Sequence, residues 1–95
     1  MVLHDEMLPP ANPTYVARAL TDVYAGRATQ ARFAGVTIAV ERGCVVAYVG
    51  SYSRHCWAAV VSTAAALVGG GNFERLRDDP YGIIFVRFPL ARSEP

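Results

Sequence analysis

Apolar residues recur every three or four positions in two parts of the chain and every second position in the stretch between them. The stronger helical stretch is the second. Trp57, Val60, Val61, Ala64, Leu67 and Val68 form a broad apolar stripe, Ser53 stands where an N-cap hydroxyl belongs, and Gly69, Gly70 and Gly71 supply a stop. The spacing predicts a helix over 53–68, the central buried element. Its opposite side carries Ala58, Ala59, Ser62, Ala65 and Ala66, all small and uncharged. A helix without a polar back is a covered one, so a second covering surface is expected, from the same chain or from a second copy.

The first helical stretch opens at Asn12-Pro13, which reads as an N-cap followed by proline where its missing N–H costs nothing. Val16, Leu20 and Val23 are its buried line, with Ala31 as a possible extension, Ala19 and Tyr24 beside it, and Arg18, Thr21, Asp22 and Ala25 outward. Gly26 ends it, or it runs on weakly to Gln30. Near Phe33 the period changes. Val36, Ile38 and Val40 alternate with Thr37, Ala39 and Glu41, and after Arg42-Gly43 a second Val-rich run covers 44–50, which predicts a tight hairpin. Beyond the central helix, Asn72 caps a short turn through Arg77, residues 78–82 form a turn cluster, and Ile83 to Phe88 is the last strand.

The expected fold is therefore one α+β domain over residues 1–95: an antiparallel sheet of three to four strands with two helices on one face, in the order α-β-β-α-β. A strand within residues 1–11 would make the order ferredoxin-like; otherwise those residues and 91–95 are flexible tails. The hairpin's second strand, the central helix and the last strand would form a right-handed crossover.

Composition sharpens this reading. The chain is 53% hydrophobic and 18% charged, which excludes general disorder and leaves few charges to cover a small domain, so oligomerisation is expected. No secretory signal and no membrane-spanning run is recognisable, which points to the cytoplasm. The nine basic residues are all arginine, and the net charge is +1. The middle of the chain, from Arg18 to Arg54, has five arginines against two acids. This is too mild for phosphate-dominated binding, so nucleic acid is disfavoured as a partner. Arg75, Arg77, Asp78 and Asp79 read as a solvated cluster.

Candidate chemistry concentrates at the strand-to-helix junction. Ser51, Tyr52, Arg54 and His55 lie where free backbone N–H groups and a helix dipole favour an anion. Arg42 and Tyr48 join them as binding candidates, since arginine and tyrosine anchor interfaces. Cys56 next to His55 is not a nucleophile–base pair, because neighbours on a helix diverge. Cys44 and Cys56 are ~20 Å apart along a strand, too far for a disulfide. Two cysteines and two histidines without a close ligand pair make no metal site. No catalytic residue, cofactor or metal is assigned. The expected function is a non-enzymatic interaction or regulatory protein with a protein partner, acting as a homodimer; the alternatives are a ligand-binding protein or enzyme with an anion site at 50–55, and weak nucleic-acid binding.

Overall fold

A computed structural model describes residues 8–69, 74–78 and 82–91, with backbone alone for 76–78. The first helix, α1, is Pro13–Tyr24. Its cap is as expected: Asn12 Oδ1 accepts from the N–H groups of Thr14 and Tyr15, at 2.9 and 3.3 Å. Val16, Leu20 and Val23 are its buried residues.

The helix stops before Gly26, and the segment after it is a strand, β1, Gln30–Phe33, which the sequence pattern does not announce. A two-residue turn at Ala34-Gly35 leads into β2, Val36–Glu41, and the expected tight hairpin into β3, Cys44–Val49. At the hairpin tip Arg42 and Gly43 have φ of 55° and 78°. Left-handed backbone at both turn positions matches the right-handed twist of the paired strands.

The central helix begins later than its spacing suggests. Residues Ser51–Cys56 form a 3-10 segment interrupted at Ser53, and α2 proper is Trp57–Val68. Ser53 is not its cap. The serine hydroxyl donates to the carbonyl of Ala34 at 2.9 Å, so a contact distant in sequence outcompetes the local one. Gly69 ends α2 in the left-handed conformation, with its N–H donating to Ala65 O.

A second unannounced strand follows. β4, Glu74–Asp78, occupies the stretch expected to be a turn, and β5 is Ile83–Pro89. Residues 70–73 and 79–81, which include the expected helix stop at Gly70 and Gly71, the Asn72 cap and most of the expected turn cluster, lie outside the described residues, as do 1–7 and 92–95; residues 8–11 carry no strand. The sheet has five strands rather than three or four, antiparallel throughout, in the order β1-β2-β3-β5-β4. The described element order is α-β-β-β-α-β-β. The crossover differs too: β3 and the last strand are antiparallel neighbours, and α2 connects β3 to β4, which runs in the same direction as β3 with β5 between them.

Both helices cover one face. Val36, Ile38, Val45, Ala47, Val49, Ile84, Val86 and Phe88 meet Val16, Leu20, Val23, Cys56, Val60 and Ala64 in a single core. Strand parity sends the alternate residues, among them Thr37, Val46, Tyr48 and Phe85, to the other face. No described helix is long and apolar enough to cross a membrane.

Candidate functional site

The junction after β3 is built from backbone ties. Gly50 N–H donates to Gly35 O at 2.8 Å and Ser53 N–H to Gly50 O at 3.0 Å, which seats the 3-10 segment on the β1–β2 turn. Ser53 is 2% exposed and its hydroxyl is spent on Ala34 O. His55 Nε2 lies 2.8 Å from Ala11 O. A carbonyl only accepts, so Nε2 carries the proton and the imidazole fastens residues 8–11 to the domain.

Around this point the four candidate side chains fan out. Ser51 lies beside Gly82, whose φ is 69° and whose α-carbon has no room for a side chain: a Cβ there would sit 2.9 Å from that of Ser51. Tyr52 is exposed, with its ring edge against Gly35. Arg54 donates through Nε to Ser51 O at 3.4 Å and holds its guanidinium 5.4 Å from the centre of the Trp57 ring, within cation–π range. Trp57 in turn donates its indole N–H to Val49 O at 3.2 Å. The segment is an anchored corner.

The other two candidates lie elsewhere. Arg42 is at the hairpin tip, about 20 Å from the junction along six residues of strand. Tyr48 is on the uncovered face of the sheet, 43% exposed, with its ring centre 4.9 Å from that of Phe85, its register partner on β5. Phe85 has no signal of its own in the sequence, because only the β3–β5 register brings it beside Tyr48. On the same face Val46 is 2% exposed, and Arg87, its partner on β5, makes a 2.8 Å ion pair with Glu74 of β4. Arg32 and Glu41 are exposed at the same parity.

A second feature was not foreseen. Between α2 and the β4 side of the sheet runs an open groove of about 420 Å³, lined by Trp57, Ala58, Val61, Ser62 and Ala65 of α2, with Ile84 and Arg75 from the sheet. Its walls are mostly apolar. Arg75 makes no ion pair with any described residue. The small residues of α2 had suggested a covered surface, and three of them, Ala58, Ser62 and Ala66, are exposed.

Both cysteines are free, Cys44 half-buried and Cys56 buried. Burial pushes the Cys56 thiol above its ordinary 9.0. Iodoacetamide at neutral pH is therefore expected to label Cys44 first and Cys56 only after unfolding, as read by mass spectrometry of peptides from pulse-labelled protein. The linkage has a definite sign. Folding holds this proton more tightly, so the contribution to stability is complete below the unfolded thiol's pKa and is lost as pH rises through the folded one. Early labelling of Cys56 in the native chain would contradict this assignment.

No family model, curated protein or solved structure matches the chain.

Proposed function

We propose that the chain is a small interaction or regulatory protein, acting by protein–protein contact and not by catalysis, and that it works as a homodimer packed through the uncovered face of the sheet. The observation that carries this reading is the order of charge across that face. From one edge to the other, β1 presents Arg32, β2 Glu41, β3 the uncharged Val46 and Tyr48, β5 Arg87 and β4 Glu74. Consider a two-fold axis parallel to β3, midway between two such faces. It lays β1 over the partner's β4 and β2 over the partner's β5, so every basic strand meets an acidic one, with Arg32 and Glu74, and Glu41 and Arg87, two residues apart along the strands, and β3 meets itself. A two-fold interface must be self-complementary in this sense. Aligned sheets pack at ~10 Å with inner side chains interdigitated, and an apolar centre with a charged rim is the usual anatomy of such contacts.

Rim charges set register more than affinity, so the centre supplies the binding energy. Tyr48→Glu is expected to leave a monomer in sedimentation equilibrium while its melting temperature, measured at low concentration, falls only by the equivalent of ~1 kcal/mol of lost ring contact. Arg87→Glu should weaken the dimer, and adding Glu41→Arg should restore it. A wild-type chain that stays monomeric at all concentrations sinks the reading.

The alternative of an anion site at 50–55 would have to use Ser51 and Arg54, since Ser53 and His55 are engaged on carbonyl groups. Weak nucleic-acid binding fits poorly with a face on which Arg32 and Arg87 alternate with Glu41 and Glu74.

A further inference from the structure

The sheet ends at β4, whose outer edge has no strand beside it among the described residues. An unpaired edge offers a row of N–H and C=O groups to any extended chain, and natural proteins either block such edges or use them. The first question is whether a second copy can take this one.

Two antiparallel edge strands related by a two-fold axis always pair residues of the same parity. On β4, Glu74, Leu76 and Asp78 would then meet only one another, and Arg75 and Arg77 only each other. Registers centred on Arg75, Leu76 or Arg77 set arginine opposite arginine, the central one also sets Glu74 opposite Asp78, and registers centred on Glu74 or Asp78 set that acid opposite its own copy. Like charges directly across a strand pair are destabilising. The edge is therefore closed to self-pairing and open to a strand of different charge.

The groove beside it says which. Its length follows α2 from Trp57 to Ala65, eight residues at ~1.5 Å each, or about 12 Å. Trp57 lines one end and has the Arg54 guanidinium 5.4 Å from its ring centre, and Arg75, which has no carboxylate partner among the described residues, is also in the lining. Apart from Arg75 and Ser62 the lining is apolar, from Trp57, Ala58, Val61, Ala65 and Ile84. In an extended chain residues i, i+2 and i+4 share a face, and i to i+4 spans ~13 Å. That span matches the groove.

We propose that β4 accepts, by strand addition, an extended segment of a different protein. That segment carries acidic residues four apart and a large apolar residue midway, so that all three face the groove between Arg54 and Arg75. This builds on the interaction-protein reading but uses the outer edge of β4 and the helix-covered side of the sheet, opposite the proposed dimer face.

Trp57 is the sole tryptophan, and it lines the groove, so its emission reports occupancy directly. The probe is a blocked heptapeptide with two glutamates four residues apart, leucine between them and threonine at the intervening positions, titrated into the full chain. A saturable change in Trp57 emission is expected. Arg75→Glu should weaken it about tenfold or more, and replacing only the glutamate that meets position 75 by lysine should recover binding to that variant while weakening it on the wild type. Methylating the peptide nitrogens that face the edge should abolish binding, because strand addition needs those donors.

No emission change up to millimolar peptide overturns the proposal, as does equal binding to Arg75→Glu or to the methylated peptide. An emission change that tracks protein concentration without peptide would place a second copy in the groove, and would also overturn it. Tyr48→Glu separates the two readings. It should lose the dimer and keep the peptide, and a wild-type monomer that binds the peptide would refute the dimer face alone.

Discussion

Gly35→Ala is expected to destabilise the domain by ~2–4 kcal/mol, although it adds a single methyl group at a half-buried turn. Two costs combine. Gly35 has φ of 81°, a conformation in which any other residue loses ~1–2 kcal/mol. The added carbon would also stand 2.3 Å from Ser53 Oγ and 3.1 Å from both Ser53 Cβ and the Tyr52 ring. Ser53 cannot swing away freely, because its hydroxyl is 2.9 Å from Ala34 O and the residue is 2% exposed. Displacing it leaves a buried polar pair unmade, worth another ~1–3 kcal/mol.

The mechanism is checkable by a double-mutant cycle. Ser53→Ala alone removes the hydrogen bond and should cost ~1 kcal/mol. In the Gly35→Ala background it also removes the nearest clashing atom, so the pair should be less destabilised than the sum of the singles. Urea denaturation of the four proteins at one concentration measures this. Strict additivity would mean that the two residues do not touch in solution.

The same corner explains what the sequence could not reveal about α2. Ser53 is a good cap residue just before an apolar run, and local pattern assigns it to the helix N-terminus. Its actual acceptor lies nineteen residues back, in a turn created by β1. Nothing within a helical window reports that partner. β1 itself is hard to see because it is a four-residue edge strand, Gln-Ala-Arg-Phe, with alternate positions exposed and no β-branched residue. β4 fails for a related reason: in Glu-Arg-Leu-Arg-Asp one neighbour suffices to hold the strand, so charge dominates its composition. By contrast α1, the hairpin and β5 were legible, since each has a buried side with its own period, down to the Asn12 cap and the Arg42-Gly43 turn.

The functional surfaces divide the same way. Tyr48 is legible as a tyrosine in a Val-rich strand, since tyrosine is a favoured interface anchor. Phe85 and the charge order across the uncovered face depend on which strands are neighbours, so they needed the sheet order 1-2-3-5-4. Arg75 looked like one member of a solvated charge cluster. Its position on the rim of an apolar groove follows only once β4 is known to be a strand on the α2 side of β5.

Phe88→Ala carries the largest expected effect, ~3–5 kcal/mol. Phe88 is 1% exposed and heads the large fully buried side chains. It sits opposite Val45 on β3 and tilts against Tyr24 at the end of α1, with ring centres 5.9 Å apart. Just beyond it, Ala91 N–H donates to Tyr24 O at 3.0 Å, so the end of β5 is fastened to the end of α1 at two points. Truncating Phe88 removes one of them and leaves a cavity beneath the other.

A chain of this size is expected to be stable by roughly 5–14 kcal/mol, at ~0.05–0.15 kcal/mol per residue. The loss is therefore a large share of the total, and each kcal/mol should lower Tm by ~4–8 °C. Phe88→Leu, which keeps most of the volume, should cost far less, and that contrast is the test of cavity formation. Because a dimer gains stability by mass action, both melts must be run at one protein concentration. They should be repeated in the Tyr48→Glu background, where an unchanged difference would place the effect inside the protomer core.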